Sequence, residues 1–213
     1  MHVPEHFSIK DQDKIFNFMR NFNFATLVTA GKEIPKASQL PLIIHRNHAG
    51  SVILGGHLSR RNDHWRDFEN IDEALVIFSG PHSYISPSWY KNSDLPPTWN
   101  YSTVHAYGLP NIIHDEDKVR HSLSTLTLES ERGIKGKWSV DLMNRDTFKN
   151  MIKGIVVFEI LLTRIEAKWK MSQNRDFDDA VGAALGLEAN EDENSLEVAS
   201  EIRALASRPS TGI

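Results

Sequence analysis

Cysteine does not occur in the chain. That excludes disulfides, thiol nucleophiles and Cys-ligated zinc or iron–sulfur sites together, and it suits a reducing cytoplasm. No apolar run is long enough to cross a bilayer. The first residues, Met1-His2-Val3-Pro4-Glu5-His6, lack the basic segment and apolar core of a secretory signal. A cytoplasmic location without membrane attachment is the expectation. A basic excess is missing as well: 24 Lys and Arg stand against 28 Asp and Glu, for a formal net charge of −4. Gripping nucleic acid by phosphate neutralisation calls for the opposite balance. Whole-chain electrostatics therefore argue against autonomous DNA binding, although a local basic patch can survive such an average. No P-loop, GxGxxG, HExxH or Gly-x-Ser-x-Gly string is present, so no metal site and no catalytic residue is assigned.

What is present is an ordinary globular composition in 213 residues, 40% hydrophobic and 24% charged. Strand-like runs cover Phe24–Thr29, Ala37–Ile44, Ser51–Leu54 ending at Gly55-Gly56, Ala74–Phe78 stopped by Gly80-Pro81, Trp99–Tyr107 and Ile155–Ile165. Helical spacing appears at 11–23 behind Asp11 or Asp13, at 62–70 behind Asn62, and at 115–131 behind an acidic first turn. Strands outnumber helices and recur at short intervals. An α+β, mainly β protein is expected, an antiparallel barrel with peripheral helices. Composition turns acidic after Leu187, so 188–194 reads as a linker before a terminal helix that carries Leu196, Val198, Ile202 and Leu205.

Four segments have chemistry to offer. Gly56-His57-Leu58-Ser59-Arg60-Arg61-Asn62 follows a strand and opens a helix; two guanidinium groups, a hydroxyl and helix-start amides suit a phosphate. From spacing alone, a solvated basic turn with a Ser or Asn cap accounts for the same string at least as well. Ser79–Tyr90 holds two prolines, a glycine and three aromatics, a rigid loop that can wall a flat ligand or plug a barrel end. On Trp99-Asn100-Tyr101-Ser102-Thr103-Val104, strand alternation puts Trp99, Tyr101 and Thr103 on one face and Asn100, Ser102 and Val104 on the other. Asn100 is then placed to orient a ligand's polar edge. Lys168–Arg175 adds cations Lys170 and Arg175 and donors Ser172, Gln173 and Asn174, or is simply a polar loop.

Taken in order, Val3-Pro4-Glu5-His6-Phe7, Gly56-His57-Leu58-Ser59-Arg60, Phe78-Ser79-Gly80-Pro81, Tyr84–Tyr90, Pro97-Thr98-Trp99-Asn100-Tyr101 and Lys170–Arg175 closely resemble the PaiB family of bacterial FMN-binding negative transcriptional regulators. The resemblance runs over about residues 1–187, leaving 188–213 as an appended acidic linker and helix. It implies a split β-barrel, a homodimer, and one FMN in a groove between protomers. Ser59, Arg60 and Arg61 would then hold the phosphate, with Arg61 where related barrels have lysine. Ser38, Gln39 and Leu40 would face the isoalloxazine, with His57, Trp99 and Asn100 nearby. Lys170, Ser172 and Arg175 would close the site from the partner subunit. Regulation implies a DNA or protein partner, yet no helix-turn-helix is evident. Whether the chain is an enzyme stays open, with "no" favoured. A flavin-dependent oxidoreductase, with His57 or His105 as proton carrier, and an interaction module that has lost its cofactor are the competing readings.

Overall fold

The computed structural model describes residues 1–31, 34–91, 94–136 and 138–206. In chain order these are α1 (Gln12–Asn21), β1 (Phe24–Ala30), β2 (Pro35–Pro41), β3 (Ile43–Arg46), β4 (Val52–Ser59), β5 (Ala74–Ile85), β6 (Thr98–Ile112), α2 (Glu116–Ser130), α3 (Arg145–Ile152), β7 (Ile155–Lys170), α4 (Phe177–Glu188) and α5 (Glu193–Ala206). The seven strands form one sheet in the order β2-β1-β5-β6-β7-β4-β3. The pairs β1/β2, β1/β5, β3/β4 and β4/β7 are antiparallel. No helix among the described residues is long and apolar enough to cross a membrane.

Caps sit where short polar side chains precede apolar periodicity. Asp11 Oδ1 accepts from Lys14 N at 3.1 Å, and Asp115 Oδ1 accepts from Lys118 N at 2.9 Å. Each satisfies an amide that the first helical turn leaves without an internal partner.

Three expectations are corrected. Gly55-Gly56 does not end a strand: β4 runs through both to Ser59, paired with β7 all the way, and a Cβ at Gly56 would run into Leu42. Gly80-Pro81 does not stop β5, which continues to Ile85. Its ladder with β1 ends at Ile77, so no pairing on that side needs the N–H that Pro81 lacks. The run Ala37–Ile44 is two strands, parted at Leu42, whose N–H donates to Asn23 O at 2.9 Å.

The chain divides into two compact units, and β5, β6 and β7 contribute residues to both. One comprises Phe16–Phe78 and His105–Ile165. Leu27, Leu42, Leu54, Val76, Phe78, Phe158 and Ile160 are fully buried in it, and Val119, Leu123, Val140, Phe148 and Val157 form a side cluster. The other comprises Met1–Ile15, Ser79–Val104 and the chain from Glu166 onward. In that unit α4 and α5 bury Ala180, Ala183, Ala184, Leu187, Val198, Ala199 and Ile202. Arg203 closes the pair on Glu188 with two hydrogen bonds, at 2.6 and 2.9 Å. On α5 the buried stripe is Ser195, Val198, Ala199 and Ile202, while Leu196 of the expected face is exposed.

Candidate functional site

The expected residues fall into two clusters, one within each unit. In the first, β4 delivers His57 and Ser59, and the chain turns at Arg60-Arg61-Asn62 into a seven-residue 3-10 helix, Asp63–Glu69. The α-helix expected here is absent, and with it the dipole argument for an anion. What remains is side-chain charge. Ser59, Arg60 and Arg61 are all exposed, and neither arginine has a carboxylate partner among the described ion pairs. Arg60 is oriented by the backbone: Nε donates to Lys153 O at 2.9 Å and a terminal nitrogen donates to Ile155 O at 2.8 Å. Three of its five N–H groups stay uncommitted.

Ser38 belongs to the same cluster. Its hydroxyl accepts from Asn62 Nδ2 at 3.0 Å and meets His64 Nδ1 at 2.8 Å. His64 is 1% exposed, and its Nε2 has no partner. Burial, helped by Lys36 and opposed by Asp67, holds this imidazole below its ordinary range. Asp67 anchors the helix by accepting from Thr29 Oγ1 and Lys36 Nζ, both at 2.7 Å. Burial pushes its carboxyl up, but the hydrogen bonds from Lys36 and Thr29 outweigh that and keep it low.

Not every expected neighbour arrives. Strand alternation turns Gln39 to the exposed face of β2, away from Ser38 and Leu40. Leu40 is 4% exposed and packs on the Gly56 face of β4. His57, one residue on, projects from the opposite face of β4, where burial lowers its basicity and leaves Nδ1 unpartnered.

The second cluster lies where β7 ends. Lys170 Nζ donates to Trp99 O at 2.7 Å and to Thr98 Oγ1. Burial first, then the charges of Lys168 and Arg175, lower the Lys170 pKa. None of these three cations has a carboxylate among the described ion pairs. The Arg175 guanidinium lies 5.3 Å from the Tyr90 ring centroid, and burial raises the Tyr90 phenol against that charge. Asn100 is fully buried and donates from Nδ2 to Ser172 Oγ at 2.8 Å, while its Oδ1 has no partner. Ser172 itself adopts a left-handed φ of 62°. Trp99 is 55% exposed and meets Tyr84 edge-on at 6.0 Å. On β6 burial alternates from Trp99 to Ser102 as expected, then lapses, because Thr103 is buried along with Ser102 and Val104.

A family model described as "Putative FMN-binding domain" matches residues 1–164. The protease synthase and sporulation protein PAI 2 of Bacillus subtilis is 33% identical over 199 residues, covering 93% of this chain and 95% of that protein. The chain belongs to the PaiB family of FMN-binding domains. A Saccharomyces cerevisiae protein is 39% identical over 100 residues, which cover 45% of this chain and 59% of that one. Two solved structures share the fold, each at a TM-score of 0.57. They are the FAD and heme binding protein of Mycobacterium smegmatis (13% identity, 76% of this chain, 73% of that one) and the flavocytochrome Anf3 of Azotobacter vinelandii (16% identity, 79% and 72%). The fold is the split barrel of this PaiB-type class, and FMN is the cofactor that the family carries.

The residues present fit that cofactor. Exposed guanidinium groups offer phosphate donors, and a bound anion would relieve the crowded cations around Lys170. The unpartnered Asn100 Oδ1 offers an acceptor to a ring N–H such as the one FMN carries. Asn62, His64 and Lys168 join the expected residues in these two clusters. Asn62 is the cap that the sequence suggests: its Oδ1 accepts from His64 N at 3.1 Å. Its second role, on Ser38, depends on a strand distant in sequence.

Proposed function

We propose that the protein is an FMN-binding regulator of the PaiB type that works as a cytoplasmic homodimer, its flavin state altering contact with a DNA or protein partner. The observation that carries this reading is the pairing of two uncompensated cationic clusters on a PaiB-family chain: Ser59-Arg60-Arg61 at the end of β4, and Lys170 with Lys168 and Arg175 at the end of β7. Ser59, Arg60 and Arg61 take the phosphate. Ser38, held by His64 and Asn62, and the backbone at Gln39-Leu40 face the ring. Trp99, Asn100, Lys170, Ser172 and Arg175 form the other half of the site, supplied by the second protomer. FMN supplies redox capacity once bound; the chain's own residues bind it, orient it and limit water around it. The cofactor core is 1–187, and 188–213 is an appended segment.

The visible spectrum of freshly purified protein, before and after added FMN, tests the first step. Bound flavin absorbance with saturable uptake supports it. Absence of flavin on purification together with no uptake from excess FMN overturns it. Sedimentation then tests the dimer. The oxidoreductase reading draws on His57, whose buried Nδ1 has no partner. FMN-dependent turnover of NADH or NADPH that His57→Gln abolishes would favour it over regulation.

A further inference from the structure

A cavity of about 360 Å³ opens within the first unit, beside the side cluster of Val119, Leu123, Val140, Phe148 and Val157. Its volume lies in the range of small-ligand pockets, roughly 300–1,000 Å³. The floor is apolar: Val119 and Val157 are buried, and Ile113, Ile152 and Ile155 line the walls. Trp65 makes one side, its indole N–H donating to Arg60 O at 3.1 Å, so the ring is fixed.

The polar lining carries both signs. Arg60 is held by the Lys153 and Ile155 carbonyls and keeps three free N–H donors. Glu69 and Glu116 line the same cavity, and both are exposed. Neither acid has an ion-pair partner among the described residues, and Arg60 has none either. A cation and two anions share one small cavity, then, without reaching one another. An anionic ligand would answer Arg60 and be repelled by the acids; a cation would meet the reverse. A molecule with both charges answers both, provided that its remainder is aliphatic.

We propose that this cavity binds a small zwitterion with an aliphatic body, of the α-amino acid class: its carboxylate on Arg60, its ammonium toward Glu69 and Glu116, its side chain against the isoleucines. The proposal adds a second ligand to the flavin reading, and Arg60 is the residue that the two sites share. Occupancy of one site is thereby felt at the other.

The test is calorimetric titration of the full chain, saturated with FMN, using three probes: leucine, 3-methylbutylamine (leucine without its carboxylate) and 4-methylpentanoate (leucine without its amine). Leucine is expected to bind saturably, and each analogue at least about tenfold more weakly, since each loses one charge-assisted contact. Glu69→Gln with Glu116→Gln should loosen leucine about tenfold and tighten 4-methylpentanoate, which the two acids otherwise repel. Ile113→Trp, which fills the cavity, should abolish all binding while FMN uptake persists. Equal binding of leucine and 4-methylpentanoate would reduce the cavity to a simple anion site and overturn the proposal. So would the absence of any leucine heat from protein that takes up FMN normally. Leucine binding by protein that takes up no FMN would support the cavity and sink the flavin reading alone.

Discussion

Arg60 and Arg61 are neighbours with different duties. Arg60 ties the turn at Lys153–Ile155 to the end of β4, so Arg60→Ala removes two backbone-directed hydrogen bonds along with any ligand contact. Arg61 has no such tie; only its own N–H is engaged, to Ser59 Oγ at 3.3 Å. Arg61→Ala is therefore the cleaner probe of phosphate binding. It should weaken FMN binding by about 1.5–3 kcal/mol, the loss of one charge-assisted contact, with the urea midpoint unchanged. Flavin fluorescence titration reads the first quantity. An unaltered affinity would put the phosphate elsewhere. At His64 the prediction concerns pH. Burial lowers the folded pKa of both His64 and His57 below the unfolded value of about 6.5. Between those values the unfolded chain binds the proton and the folded chain does not, so stability falls as pH drops below about 6.5 and is fully present above it. His64→Gln should flatten that fall, measured as urea midpoints at pH 7.5 and 5.5. A slope identical to that of the parent would exclude His64 as its source.

At the scale of elements, α4 offers a reversed sign. Gly→Ala inside a helix ordinarily stabilises by about 1 kcal/mol. Here a Cβ at Gly182 would strike the Trp89 carbonyl oxygen and one at Gly186 would strike the Trp89 indole. Gly186→Ala should therefore destabilise, by about 1–3 kcal/mol, the usual cost of overpacking. Chemical denaturation decides it; a rise in stability would mean that Trp89 swings away freely. The pair also shows what local reading could reach. The starts of α1, the 3-10 helix and α2 were legible because Asp11, Asn62 and Asp115 announce themselves through short-range chemistry, whereas those of α3 and α4 were not. Nor were strand ends. Gly55-Gly56 and Gly80-Pro81 look like punctuation in a local window, yet each lies inside a strand for a non-local reason: β4 stays paired with β7 through Gly55 and Gly56, and the β1 ladder has already ended before Pro81. The site divides along the same line. Of the proposed contacts, Arg60, Arg61, Lys170 and Arg175 stand out in the sequence as charge. The Ser38–His64 contact and the turning away of Gln39 depend on register, which no window contains.

For the whole molecule, the proposed homodimer makes a claim that neither cluster makes alone. If one protomer supplies Arg61 and its partner supplies Lys170, then Arg61→Ala and Lys170→Ala each spoil every site in their own homodimers. Mixed and allowed to exchange subunits, the two variants form heterodimers in which one site carries both lesions and the other carries none. With random pairing of equal amounts, about half the dimers are mixed, so about a quarter of all sites regain parental affinity. A titration of the exchanged mixture should show that tight fraction, which neither variant shows by itself. If both residues serve the same site from one chain, every site keeps one lesion and no tight fraction appears at any mixing ratio. Subunit exchange must be verified independently, by mass spectrometry of isotope-labelled and unlabelled protomers. A mixture that exchanges freely but regains nothing assigns both half-sites to a single chain and removes the need for the dimer in holding FMN.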